Sequence, residues 1–268
     1  MNLPAETRPV ALVTGASSGI GATYAERLAS TGHDLVLVAR RADRLEALAE
    51  GMREQHGVSA RVLVADLSED SGIDAVTSSI GGEPGLAVLV NDAGFSGYGP
   101  FTEMPSERID RLIEIHCRAT TRLSRAALPG MLSSGRGDIV NMGSLLAFSR
   151  SVPPDPLPYR AVYAACKAFI VTFTVSLHRE LEGTGVRSMV CCPGLVESEF
   201  HGPDWQGPPQ MSAEDVVTAC LRGLEAGEAI CLPGIEDPEV VETLDAAERA
   251  MIANTRVTTL ASRYRIGH

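Results

Sequence analysis

No stretch of this sequence approaches the roughly 20 consecutive apolar residues that cross a bilayer. The N-terminus, Met1 to Arg8, is short and polar and lacks the basic region and apolar segment of a secretory signal. Positive charge is in deficit. There are 34 acidic residues against 23 Lys and Arg, a net charge of −11, which argues against nonspecific binding to nucleic acid or to anionic membranes. Cysteine is present but without metal-type C-x-x-C spacing: positions 117, 166, 191, 192, 220 and 231, several of them inside apolar runs, read as buried free thiols in a reducing compartment rather than as disulfides or a metal site. Repeats, low-complexity tracts and interdomain linkers are missing as well. Together these absences predict a soluble cytoplasmic protein without a metal.

What is present is an α/β pattern. The 268 residues, 44% of them hydrophobic, allow one domain with a single core over 1–268. The apolar run Val10 to Val13 is closed by Thr14-Gly15-Ala16-Ser17-Ser18-Gly19-Ile20-Gly21 and followed by a helix-forming segment, Ala22 to Ser30. This reads as a buried strand, a tight turn and a helix N-terminus, whose unpaired N–H groups and positive dipole end make an anion site. Glycine also serves where a loop takes φ > 0 or where two elements pack closely, so the turn alone leaves a purely structural reading open. Further strand-like runs stand at Asp34 to Ala39, Ala60 to Ala65, Leu86 to Val90, Gly137 to Met142, Val186 to Cys192 and Ala229 to Leu232. Their alternation with helical segments predicts a Rossmann-type, doubly wound parallel seven-stranded sheet with helices on both faces and a ligand at the carboxyl ends of the strands. Where an acid after the second strand would bind a ribose 2′-hydroxyl, this chain has Arg40 and Arg41. Guanidinium groups there suit a 2′-phosphate and favour NADP(H) over NAD, unless both are solvated loop charges.

Tyr163 and Lys167 stand four apart on a helical pattern continued by Phe169, Ile170, Phe173 and Leu177, and so share a face. A phenol is a poor base at neutral pH, and an adjacent ammonium favours the phenolate. Tyr163 can then donate a proton to a carbonyl oxygen or accept one from an alcohol. Ser144 stands just past the fifth strand. Tyr159 has Tyr163 rather than Lys four places on and is excluded from that role.

The T-G-x-x-x-G-x-G turn, Asn91-Asp92-Ala93-Gly94, a strand ending in Ser144, Y-x-x-x-K and Pro193-Gly194-Leu195-Val196-Glu197-Ser198, in that order, resemble the short-chain dehydrogenase/reductase family up to about Leu232. The resemblance implies an NADP(H)-dependent oxidoreductase interconverting a carbonyl and a secondary alcohol. Its implied cofactor contacts are Gly15, Ser17, Ser18, Gly19, Ile20 and Gly21 at the turn, Asp66 and Leu67 at the adenine, and Asn91, Ala93 and Gly94 beside the cofactor. Pro193, Gly194, Val196 and Ser198 would meet the nicotinamide carboxamide, with Tyr163 and Lys167 at its ribose and Ser144 hydrogen-bonding the same oxygen as Tyr163. It also implies a small-molecule substrate and a homodimer or homotetramer built on the helices around Ser106–Leu132 and Ala161–Leu181. A substrate lid is expected near 197–212, with Trp205 as its apolar contact, and a C-terminal helical segment near 236–263. Asp66 has a second reading as the cap of the following helix.

Three features depart from the family pattern. Asp92 replaces Asn and loses two donors. His116 falls where an Asn usually holds a water of a proton relay. As a neutral imidazole it can still order that water, whereas protonated it would oppose Lys167, so changing it to Asn is expected to alter the acid limb of activity. The alternative for His116 is an ordinary buried or surface side chain. Lastly, nineteen positions separate Ser144 from Tyr163, more than the family generally has, and four prolines between 153 and 158 make an insertion near 149–158 a loop. It either shapes substrate access or is a neutral surface loop. These departures support a rival reading, an NADP(H)-binding regulator or scaffold with impaired catalysis. A third reading keeps catalysis but makes it dehydration or epimerisation.

Overall fold

The computed structural model describes residues 8–199, 207–253 and 255–265. The chain divides into two compact units, Met1–Pro233 and Gly234–His268, and the first carries every motif above.

Seven strands form that unit's sheet: β1 (Val10–Thr14), β2 (Asp34–Ala39), β3 (Ala60–Val64), β4 (Leu86–Asn91), β5 (Gly137–Met142), β6 (Val186–Cys191) and β7 (Ile230–Cys231). Their order is β3-β2-β1-β4-β5-β6-β7 and every pair is parallel. Such strands are buried on both faces, which is why they read as unbroken apolar runs. Alternate residues feed two cores. Ala11, Val13, Leu35, Leu37, Val90 and Met189 point to one face, against Tyr24, Ala25 and Leu28 of α1 (Gly19–Ser30), Leu45 and Ala49 of α2 (Ala42–His56), and Val216 and Cys220 of α7 (Ala213–Ala226). Leu12, Val36, Val38, Leu89 and Ile139 point to the other, against Ile73 and Val76 of α3 (Asp70–Gly81), Leu123 and Met131 of α5 (Thr120–Ser134), and Leu177 of α6 (Ala161–Glu180).

The long helical pattern from Ser106 is not one regular helix. It runs as α4 (Ser106–Ile113), a π-helical turn (Glu114–Ala119) and α5. The break expected at Pro129-Gly130 does not occur, for α5 continues to Ser134 with Pro129 inside it. Fully buried Met131, packed close to Gly137, anchors the last turn, so tertiary packing outweighs the lost hydrogen bond. Helix α6 qualifies by length and hydropathy as a possible membrane span, contrary to the expectation that no stretch would approach one. Its inner face, Tyr163, Cys166, Lys167, Ile170, Thr174 and Leu177, is nonetheless buried against this unit.

Within the second unit, α8 (Glu239–Ile252) and a short 3-10 turn, Ser262–Tyr264, occupy the region expected to be helical.

Candidate active site

The sheet order reverses between β1 and β4, and the crevice at the carboxyl ends of these strands is where such a sheet takes its ligand. Gly15 leaves β1 with φ +72°, and a Cβ there would stand 2.9 Å from Asp92 Oδ2, so both conformation and space demand glycine. Thr14 fixes the turn after β4. Its hydroxyl donates to the Val90 carbonyl at 3.2 Å and accepts from the amides of Asp92 and Ala93 at 3.0 and 3.1 Å. A buried polar ladder continues outward, from Asn91 Nδ2 to Asn141 Oδ1 (2.8 Å) and from Asn141 Nδ2 to Thr174 Oγ1 (2.9 Å).

This cradle fits a dinucleotide. Its glycines clear the backbone where α1 begins, and Ser17, Ser18 and the partly buried Ile20 line that edge. Arg41 lies across it, with Nε and Nη2 on Ser17 Oγ (3.0 and 2.8 Å) and Nη2 on Ser18 Oγ (2.7 Å). Arg40 Nη1 lies 3.6 Å from Asp66 Oδ2. Asp66 does not cap α3, whose N-cap is Glu69; it accepts instead from the amide and hydroxyl of Ser68 at 2.9 and 2.7 Å. Partial burial would raise the Asp66 pKa, but the Ser68 hydrogen bonds and the charges of Arg40 and Arg111 outweigh it and hold the carboxyl below its usual range. Leu67 is buried beside it. Ala93 is half-buried and Gly94 exposed at the crevice.

On the other side of the crevice, Ser144 lies two residues past the end of β5 and Tyr163 sits in the first turn of α6. Ser144 hydrogen-bonds the Tyr163 hydroxyl, and its Oγ accepts from the Leu146 amide at 3.2 Å. The spacing suggested that Lys167 would draw the phenol toward its ionised form. In the structure Lys167 Nζ donates to the Met142 carbonyl at 2.7 Å and lies 5.6 Å from the centre of the Tyr163 ring. Burial, reinforced by Tyr98, pushes the phenol up, against the Ser144 hydrogen bond that lowers it, so Tyr163 is held as a proton donor. Burial lowers Lys167 to about 8 despite the support of the Asp92 charge. Burial also raises Asp92 to about 7, against Lys167 and the Gly21 amide.

The π turn carries His116 inward. The side chain is 1% exposed, its Nε2 is 3.0 Å from the Phe95 carbonyl, and its ring stands edge-on to Tyr163 with centres 5.5 Å apart. A Cβ on Gly94 would collide with the imidazole. Burial first and Lys167 second depress His116 to about 3, so the ring is neutral at neutral pH, which removes the expectation that its titration shapes the acid limb.

After β6, the carbonyl of Pro193 accepts from the Leu145 amide at 3.0 Å, Gly194 faces Leu145, and Val196 bridges to Met211, with Glu197 N on the Met211 carbonyl at 2.9 Å. Ser198 lies close over Gly19. The two ends of the expected lid are thus paired with each other, while 200–206, including Trp205, fall outside the described residues. Ser212 caps α7 by accepting from the Asp215 amide. The 149–158 stretch is a built loop. Arg160, 7% exposed, gives Nε to Ser149 Oγ (2.7 Å), Nη1 to the Pro158 carbonyl (2.9 Å), and Nη2 to the carbonyls of Ser149 (3.0 Å) and Val152 (2.7 Å).

Sequence reasoning missed Arg160, Tyr98, Arg44 and Glu199. Only Arg44 left a signal, standing one helical turn after Arg41. Cys191, Cys220 and Cys231 cluster with sulfurs within 4.8 Å of one another, all buried. All six cysteines are free, Cys117 partly exposed and the rest buried.

Residues 9–208 match the family model for short chain dehydrogenase. The chain belongs to the short-chain dehydrogenase family. A short-chain dehydrogenase from Sphingobium yanoikuyae, solved in complex with NADPH, superposes with a TM-score of 0.89 at 37% identity over 96% of this chain and 100% of that one. A bulky-bulky ketone specific alcohol dehydrogenase from Comamonas testosteroni gives 0.87 at 33% identity over 96% and 99%. A short chain dehydrogenase of Pseudocercospora fijiensis is 38% identical over 198 residues, which are 72% of this chain and 62% of the fungal protein.

Proposed function

We propose that this short-chain dehydrogenase is an NADP(H)-dependent oxidoreductase that interconverts a small-molecule carbonyl and a secondary alcohol. The observation that carries the reading is the Ser144, Tyr163 and Lys167 set, converging beside a glycine cradle that fits a dinucleotide. The cofactor, when bound, supplies the hydride. Tyr163, kept protonated by burial, gives its proton to the carbonyl oxygen as charge develops there. Ser144 hydrogen-bonds the same oxygen, sharing the load with the phenol. Lys167, anchored on Met142, places a cation beside Tyr163 and steadies the phenolate left after transfer. His116 acts as a neutral wall that packs the Tyr163 ring and fixes the chain at Phe95. Arg40 and Arg41 at the end of β2 favour a 2′-phosphate.

The NADPH complex of the Sphingobium relative supports the cofactor choice, and the bulky-bulky ketone specificity of the Comamonas relative suggests ketones with two bulky substituents as the first substrates to try. The lid near 197–212 and the loop near 149–158 bound the substrate in this reading. Phe101, Ile113 and Phe169, exposed along a groove between α4 and α6, support a homodimer through those helices. A cytoplasmic location fits the acidic composition.

Nicotinamide fluorescence titrations with NADPH and NADH, followed by turnover of a ketone panel, test the proposal. NADPH-preferring turnover that falls by about a thousandfold or more in Tyr163→Phe, with cofactor binding retained, is expected. Tight binding without turnover across the panel would instead favour the binding-protein reading.

A further inference from the structure

The arginines that would select the cofactor already hold a carboxylate. Glu199, one residue past Ser198, sets Oε2 2.5 Å from Arg41 Nη1 and Oε1 2.6 Å from Arg44 Nη1. Both oxygens of one anionic group are therefore spent on two guanidiniums. Arg41 has committed Nε and Nη2 to Ser17 and Ser18, so Nη1 is the arm that faces an incoming anion, and Glu199 has it. Arg44, on the first turn of α2, completes a two-guanidinium clamp of the type that binds phosphate.

We infer that Glu199 is a specificity-determining residue. It is an internal anion that stands in for the cofactor's 2′-phosphate on Arg41 and Arg44, so that NADPH must displace it while NADH leaves it in place. The inference rests on the NADP(H) reading above. A phosphate monoester carries more charge than a carboxylate and offers three acceptor oxygens rather than two, so the exchange runs toward the phosphate. With NADH there is nothing to make the exchange, and Glu199 stays on the arginines. The carboxylate thus lowers affinity for the phosphorylated cofactor without touching the rest of the adenosine site. Displacement also unties the stretch ending at Glu199 from α2, which links the identity of the cofactor to the segment that leaves β6.

The two adenosine half-cofactors isolate this effect from the nicotinamide. Calorimetric titration at fixed ionic strength, with 2′,5′-ADP and 5′-AMP as probes, is run on the full chain, on Glu199→Gln and on Arg41→Ala/Arg44→Ala. Glu199→Gln is expected to tighten 2′,5′-ADP by roughly threefold to tenfold, the scale of two exposed charge contacts, and to leave 5′-AMP unchanged. Unchanged or weaker 2′,5′-ADP binding, or equal tightening of both probes, overturns the inference. The arginine variant separates this from failure of the underlying reading. If it discriminates between the probes as well as the parent does, the 2′-phosphate assignment to Arg41 and Arg44 is itself wrong. If it loses discrimination while Glu199→Gln changes nothing, the assignment stands and the competing role of Glu199 falls.

Discussion

His116→Asn separates a structural imidazole from a titrating one, because burial beside Lys167 gives its pH dependence a definite sign. The ordinary value of 6.5 falls to about 3 in the folded protein, through burial first and the Lys167 charge second, with the Phe95 carbonyl opposing both. Below about pH 6.5 the unfolded chain therefore takes up a proton that the folded chain refuses. Stability is lost as the pH falls from 6.5 toward 3 and is unaffected by this group above 6.5. One pKa unit corresponds to about 1.4 kcal/mol, so at pH 5 the loss from His116 alone is about 2 kcal/mol. Because the ring is 1% exposed, solvent screening does little to reduce that figure.

The Asn variant lacks the titrating ring. It starts with a deficit at pH 7.5, on the order of 1 to 3 kcal/mol, for packing lost beside Tyr163 and Gly94, and that deficit shrinks by about 2 kcal/mol by pH 5. Urea unfolding followed by circular dichroism at pH 7.5, 6.5 and 5.0 reads the difference directly, since every other titrating group is common to both proteins. Parallel stability curves would show that His116 is protonated or solvated in the folded state and would refute the argument. The activity profile gives a second check, for a ring that stays neutral above about pH 4 cannot supply the acid limb, and the limbs of the two proteins coincide.

Asp92→Asn acts with the opposite sign. Burial raises Asp92 to about 7, so its favourable contribution is present below about pH 4 and is lost as the pH rises through 7. The variant's Tm is therefore expected to gain on the parent's as the pH rises from about 4 to about 7, and the difference then levels off. Lys167, already near 8 with Asp92 beside it, loses that support, and the alkaline change in kcat/KM moves to lower pH; an unmoved limb would mean the two groups are not coupled. Arg160→Lys keeps the charge but cannot reproduce the fork that holds Ser149, Val152 and Pro158. It should cost about 1 to 3 kcal/mol in chemical unfolding and raise KM for a bulky ketone more than it lowers kcat, whereas an unchanged KM would make the loop a bystander.

The sheet was legible because buried parallel strands are continuous apolar runs, and each strand lies within a residue or so of its expected bounds. The cradle and the Tyr163 and Lys167 pair were legible because each depends on local spacing, and Ser144 because it follows a strand in the order of motifs that the family resemblance implies. What escaped depends on distance or on an irregular helix. A period of 3.6 laid over Ser106–Leu132 cannot register the π turn at Glu114–Ala119, and that turn decides that His116 points into the site. The expected stop at Pro129 weighed local propensity and could not see Met131 buried against Gly137. Glu199 and Arg41 lie 158 positions apart, and nothing local to either announces the pair. The same is true of Lys167. Spacing put it on the face of Tyr163, but the Met142 carbonyl fixes where its charge sits.

Asp92 and His116, where the resemblance implied Asn, make physical sense together around Lys167. A cation this deeply buried sheds its proton unless a negative charge answers it, and Asp92 is the first group that raises the Lys167 pKa. A second cation nearby would undo that support, and His116 would be one if burial and Lys167 did not keep it neutral. Each group's state is therefore set partly by the same ammonium, which holds Asp92 toward its charged form and His116 away from its own. The phenol of Tyr163 meets a field with one cation and one titrating carboxylate, and a neutral imidazole on its ring edge. A double change, Asp92→Asn with His116→Asn, puts Asn at both positions and removes both titrations. The rate that such a variant retains at high pH measures how much of the ammonium on Lys167 depends on Asp92.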